Sequence, residues 1–580
     1  MSSRILPLAL LAALGVAVYG CQGNIEGTAR PGGSVAGSGD PNNPNNPNNG
    51  SAGSVASPVT GGQPPEQVLT STACAKPAPG TAPLRRLSNS EYRNTLQDLL
   101  ASVSGIGPAV DTSTKNFVDE AESLGFKNNA DFLGVSSLVA QGYMDSAESL
   151  APLVASTQPL VGCSTQDAAC AKQFVETFGK RAFRRPLAVD EVARYTGEYD
   201  KAAAKGYDFK TGIEWIVFAM LQSTEFLYRV ELGAPKGSDY TPSAYETATR
   251  LSYLIWQSMP DQTLFDAADK GELADKKQIE AQARRMLKDP KASRLLEYFD
   301  QWLDIDHLAV FDRDANVYPG VPQNLPDLLK SETHAFVGNL LQSPSGSLTD
   351  LLTGQYSYLN ADLAKHYGVG GVSGTDFTRV DMPGRSGVLT QGMMLTRDKP
   401  TRTSIVRRGL KVRLDMLCER VPAPPNNVQL NLEALGDGLT QRERLQAHRI
   451  NPSCSGCHNL MDPIGVVFEG FDAVGRARTT DEGGKPVDTS STITATRDMD
   501  GAVADVVALG KSLANSQEVS DCYVTQSFRF FYGRDYTADD QCSMAELLLA
   551  FRDGKQSLSE LIVALTQTDQ FLYRPAPEAK

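Results

Sequence analysis

Five consecutive residues, Cys454-Ser455-Gly456-Cys457-His458, constrain this chain more than any other feature. Cys-x-x-Cys-His is the attachment pattern of c-type haem. Two thiols three positions apart in a helical turn can form thioethers with the two vinyl groups of one porphyrin, and the next imidazole then sits under the iron. Gly456 leaves that face of the ring unobstructed. The pattern predicts one covalent haem c, anchored by Cys454 and Cys457, with His458 as the metal ligand. Two other uses stay open: a local Cys454–Cys457 disulfide beside a bystander His458, and a zinc site. Zinc needs four ligands, and the chain has no second Cys-x-x-Cys pair. A thioredoxin-like redox motif expects an α/β surround, which is missing here. The sixth haem ligand is not legible. Met461 lies one turn beyond His458, on the same side of the ring. Met393, Met394 and His448 are candidates, as is a vacant position; adjacent methionines more often pack a core.

Haem c is attached outside the cytoplasm, and the N-terminus carries an export pattern. Arg4 precedes an apolar run from Ile5 to Val18, then Val18-Tyr19-Gly20 leads to Cys21. This is the layout of a secretory signal. The run is too short to span a bilayer, which takes ~20 apolar residues. Cys21 after a small residue resembles the lipobox of bacterial lipoproteins, which makes Cys21 the expected lipidation site. Gln22, where a retention signal would resemble Asp, points to an outer-membrane lipoprotein of the cell envelope facing the periplasm or the cell surface. An ordinary cleaved signal with an incidental Cys21 is the competing reading. From Gly23 to about Gln67 the chain is mostly Gly, Ser, Asn, Pro and Ala, too poor in apolar side chains to offset the entropy of ordering. It reads as a disordered tether, and the lipid anchor is the expected membrane contact. The formal charge of −13 repels phosphate backbones, so no nucleic-acid partner is expected.

The 580 residues exceed what one core holds, since single cores stop growing near ~250–300 residues. Helix starts recur. Ser88 with Glu91 three residues on is a capping-box pattern, followed by an apolar stripe at Tyr92, Leu96, Leu99 and Leu100. Similar starts lie at Thr241–Glu246 and Leu187–Glu191. Strand-like alternation is rare, with Thr375 to Val380 the nearest case. The fold class is therefore mainly α, a multidomain array of helical modules around the haem segment. There is also an internal echo. Ile213–Ser223 leads to Phe226-Leu227-Tyr228-Arg229, and Leu558–Thr568 leads to Phe571-Leu572-Tyr573-Arg574. Each copy follows an aromatic and basic segment, Phe178–Pro186 and Phe528–Tyr536. Two related helical hairpins on either side of a central region explain the echo.

Setting aside Cys21, Cys454 and Cys457 leaves six of nine cysteines. Cys163 with Cys170 and Cys522 with Cys542 are close enough in sequence to pair, leaving Cys74 to Cys418, although sequence alone does not fix connectivity. Several other signals carry little. Gly510-Lys511-Ser512 lacks the earlier glycine of a phosphate loop. Asp304, Asp306 and His307 sit together and could bind a metal or shuttle protons, but they read first as a solvated helix end; His334 and His366 read as structural.

Several stretches carry a family resemblance: Arg85–Thr95, Gly125–Ala130, Arg181–Leu187, Arg250–Trp256, Gly387–Gly392 and Arg402-Thr403-Ser404. The longest runs from His448 to Arg478, with Met461-Asp462-Pro463-Ile464-Gly465 and Phe468–Arg476 inside it. The chain resembles the planctomycete-type cytochrome-c-like multidomain proteins, built of modules of unknown function. The likeness runs from about Leu84 to Arg574. It implies five modules with the haem motif in the fourth, which gives an expected layout of signal 1–20, tether 21–80, helical modules 81–160, 161–235 and 236–370, a haem module 371–495, and a last module 496–580 related to 161–235. Gly470 departs from the family pattern, which resembles Asn there.

Three functions fit these residues. The first is a redox protein passing electrons between a partner protein and another donor or acceptor at the cell envelope. The second is a haem-dependent oxidase or peroxidase acting on an extracellular substrate, which needs an open sixth position and a distal acid–base residue. The third is a surface binding or scaffold protein whose cysteine pair is only structural.

Overall fold

The N-terminal helix starts form as their caps require. Ser88 accepts from the Glu91 N–H at 3.2 Å, and the Glu91 carboxylate accepts from the Ser88 N–H at 2.9 Å, opening the helix Asn89–Leu99. Ser243 and Glu246 do the same for Ala244–Ile255. At Val189–Ala204 only half the device exists, because Glu191 reaches back to the Ala188 N–H while Ala188 has no acceptor to return. In this computed structural model the described residues are 60, 62–236, 239–397, 399–421, 439–449 and 452–575. Cys21, the signal segment and most of the expected tether lie outside the described residues.

The fold is mainly helical. Among the described residues, strands form four two-stranded antiparallel ribbons. One of them pairs Tyr356–Leu359 with Thr378–Asp381, the strand that the alternation near Val380 predicts. Part of the expected 21–80 tether is ordered. Pro65–Leu69 is helical and buries Val68, Glu66 pairs with Arg552 at 2.6 Å, and Cys74 is bonded to Cys542. That bond corrects the expected pairing. Cys163–Cys170 forms as expected, but the other two bridges are Cys74–Cys542 and Cys418–Cys522. Proximity in sequence fails as a guide because the C-terminal module sits against both the N-terminal segment and the helix ending near Cys418.

The described residues form one compact body whose modules share cores. One apolar cluster runs from Leu87 to Phe265, and a larger one from Phe126 to Phe571. The helix Ala244–Ile255 lies between them and is buried from Thr247 to Ile255. Its Tyr253 joins the first cluster, and its Leu251, Leu254 and Ile255 the second. The two echo segments end at one half-buried carboxylate. Glu231 pairs with Arg250 at 2.7 Å and lies 3.9 Å from Arg229 and 3.8 Å from Arg574, the last residues of the two Phe-Leu-Tyr-Arg runs. Burial alone would raise this carboxyl, but the three guanidiniums hold it below the usual range.

Candidate functional site

Cys454, Cys457 and His458 all lie on one helix, Pro452–Val466, called here the motif helix. Pro452 opens it, where a missing N–H costs nothing. Its main support is the crossing helix Ile405–Met416. The two backbones touch. A Cβ at Gly409 would lie 1.9 Å from the Met461 carbonyl oxygen, and one at Gly465 would lie 1.9 Å from that of Ile405. Two fully buried arginines of the crossing helix extend the contact. Arg413 donates to the Leu460 carbonyl at 3.0 Å and to Ala495 at 2.8 Å. Arg408 donates to the carbonyls of Phe468, Phe471, Leu395 and Asp472 at 2.7–2.9 Å. One guanidinium therefore ties the end of Gly392–Leu395 to the loop that follows the motif helix. Gly470 keeps its place in that loop by accepting from the Arg478 N–H at 2.8 Å.

On the motif helix the thiols stand at i and i+3 and the imidazole at i+4. Cys454 is buried and Cys457 half-buried; neither is in a disulfide, whereas the other six described cysteines all are. His458 is itself held. Its Nδ1 lies 3.0 and 3.1 Å from the two carboxylate oxygens of Asp462, one turn further on. The imidazole is 9% exposed and Asp462 is 2% exposed. An Nδ1 that donates to this carboxylate sets the tautomer of the ring and fixes its orientation. Beyond Asp462 a cleft of about 710 Å³ opens between the motif helix, the helix Gln441–Arg449 and the ribbon Ser491–Ile493/Gly501–Val503. Sequence reasoning passed over Asp462 as a site residue, although its spacing of four from His458 already placed both on one helix face.

The remaining candidates are dispersed. Met393 and Met394 are buried in the larger apolar cluster, and Met461 presents its carbonyl to Gly409. His448 falls in the helix Gln441–Arg449, but its side chain lies outside the described residues. Asp304, Asp306 and His307 diverge: Asp304 pairs with Arg397, Asp306 with Lys127, and His307 Nδ1 meets the Asp304 carbonyl. Burial, with Arg397 beside it, pushes His307 down to about 4. Gly510 packs against Ser386 in the middle of a helix, so Gly510-Lys511-Ser512 is a packing feature. Among the described residues no group of three or more His, Cys, Asp or Glu is placed to hold a bare metal ion. None of the described helices is long and apolar enough to cross a membrane.

Five family models, each described as a protein of unknown function, match consecutive parts of the chain. They are DUF1587 at 85–155, DUF1595 at 170–231, DUF1592 at 243–369, DUF1588 at 385–481 and DUF1585 at 500–571. The fourth carries the name PSCyt3, which points to a cytochrome-like module, and it contains the motif helix and the crossing helix. Fold and matches together define a mainly helical multidomain protein with a cytochrome-like module. The chain belongs to the planctomycete-type cytochrome-c-like multidomain proteins. No curated protein and no solved structure matches it.

Proposed function

We propose that this is an exported, lipid-anchored c-type haem protein with an electron-transfer role at the cell envelope. The observation that carries the reading is the placement of Cys454, Cys457 and His458 at i, i+3 and i+4 of one helix, with His458 already oriented through Nδ1. The donor set fits a covalently held porphyrin. Two thiols stand one turn apart in a protein whose other described cysteines are oxidised, and the imidazole follows them directly. Three disulfides also favour an oxidising compartment, in agreement with the export pattern at Arg4 to Cys21. When bound, the haem supplies a one-electron iron couple. Cys454 and Cys457 would anchor it, and His458 would ligate through Nε2. Cys21 would carry the lipid, and the Gly- and Asn-rich segment after it would let the body stand off the membrane. A redox protein partner or an extracellular substrate would meet the body from outside the cytoplasm.

The absorption of the denatured protein in alkaline pyridine tests the haem directly. A haem c band is expected, together with an intact mass raised by one porphyrin. Cys457→Ser is expected to lose stable two-point attachment, and Cys21→Ser to release the protein from the membrane fraction. A colourless wild type with Cys454 and Cys457 joined to each other overturns the haem assignment. Unchanged fractionation of Cys21→Ser overturns the anchor.

A further inference from the structure

We propose that Asp462 is a positioning residue that lowers the reduction potential of the haem iron by acting through His458. The inference rests on the haem assignment made above and goes beyond it. Both carboxylate oxygens lie within 3.1 Å of His458 Nδ1, so the ring proton is shared with a charged acceptor rather than with a neutral one. On an exposed helix such an i, i+4 pair would contribute little, because water would screen it. Here Asp462 is 2% exposed and His458 is 9% exposed, so water screens the pair weakly. A carboxylate on the outer nitrogen makes the inner nitrogen a more basic ligand. It also places negative charge one imidazole ring away from the metal. Both effects favour the ferric ion, which carries one more positive charge than the ferrous. Asp462 therefore sets how readily the iron gives up its electron, while Cys454 and Cys457 only hold the ring.

The test is spectroelectrochemical titration of the purified full-length holoprotein, wild type against Asp462→Asn, with haem content measured in parallel. Asparagine keeps the size and one acceptor oxygen but removes the charge. With haem content unchanged, the ferric-to-ferrous equilibrium is expected to shift at least tenfold toward ferrous, a rise of about 59 mV or more for one electron. Equal haem content with an unshifted midpoint overturns the inference while leaving the haem assignment standing. A wild type without haem overturns both. Should Asp462→Asn fail to yield folded holoprotein, Asp462→Ser and Asp462→Glu are compared. A midpoint raised in Ser and close to wild type in Glu supports a charge effect. Equal midpoints in the two, whether shifted or not, overturn it.

Discussion

Replacing Gly409 by Ala inverts the usual effect of that substitution. In a helix interior Ala is favoured over Gly by about 0.8–1.0 kcal/mol, so helix propensity alone argues for a gain. The structure argues for a loss. The new Cβ would stand 1.9 Å from the Met461 carbonyl oxygen, and ordinary contact begins near 3.4 Å, so the two helices must part by about 1.5 Å. The clash is with backbone, which cannot rotate away as a side chain can. Overpacking of this kind typically costs about 1–3 kcal/mol. Parting the helices also strains Gly465 against Ile405 and the Arg413–Leu460 bond, so the upper end, about 3 kcal/mol, is expected. Hydrogen exchange read by mass spectrometry on peptides covering 405–416 and 452–466 measures this locally. Each ~1.4 kcal/mol is tenfold in the opening equilibrium, so exchange there should accelerate roughly a hundredfold in Gly409→Ala. Gly338→Ala is the control. It lies within the helix Leu325–Gln342 with nothing within 4 Å of its Cβ position, so it should slow exchange or leave it unchanged. Exchange in Gly409→Ala within threefold of wild type would refute the close crossing.

Two further outcomes are expected. His366 is buried between the Val474 carbonyl at 2.8 Å and Arg476 at 3.3 Å, and burial pushes its imidazole down to about 4. It stays neutral in the native protein but takes up a proton near pH 6.5 once unfolded. Its contribution is therefore complete above pH 6.5 and lost as pH falls toward 4, about 3 kcal/mol in all. Denaturation midpoints across that range should fall more steeply for wild type than for His366→Gln, and parallel curves would contradict this. The Cys418–Cys522 bridge closes a loop of 104 residues, worth about 4.7 kcal/mol in a chain-entropy account. Non-reducing peptide mapping should recover Cys418 with Cys522 and Cys74 with Cys542. The double change Cys418→Ser, Cys522→Ser should destabilise the protein by about 3–5 kcal/mol, and recovery of a Cys522–Cys542 peptide would refute the pairing.

Local signals were legible in the sequence because their physics is local. The Ser88–Glu91 cap, the Cys454-x-x-Cys457-His458 run and the repeated Phe-Leu-Tyr-Arg ends each span only four or five consecutive residues. Contacts between distant segments were not legible. Nothing near Cys542 in sequence points to Cys74, because that pairing depends on how the last module packs against the segment around Pro65–Cys74. Gly409 and Gly465 look like weak points in two helices when viewed singly; only their crossing shows that each makes room for the other's backbone. Arg408 and Arg413 look like surface charges by type, yet both are buried because seven carbonyl-directed bonds replace the water they lose. Asp462 is the intermediate case, since its spacing from His458 was visible but its burial was not.

The bond between Cys74 and Cys542 also decides how the body bears mechanical load. Tension applied through the chain upstream of Cys74 passes across sulfur into the helix Gln541–Asp553, near the far end of the polypeptide. The module that begins at Arg85 lies downstream of that shunt and is spared the strain. Reducing this one link would reroute the force into the Leu87–Phe265 cluster, so a molecule pulled from its N-terminus should yield at different places under oxidising and reducing conditions.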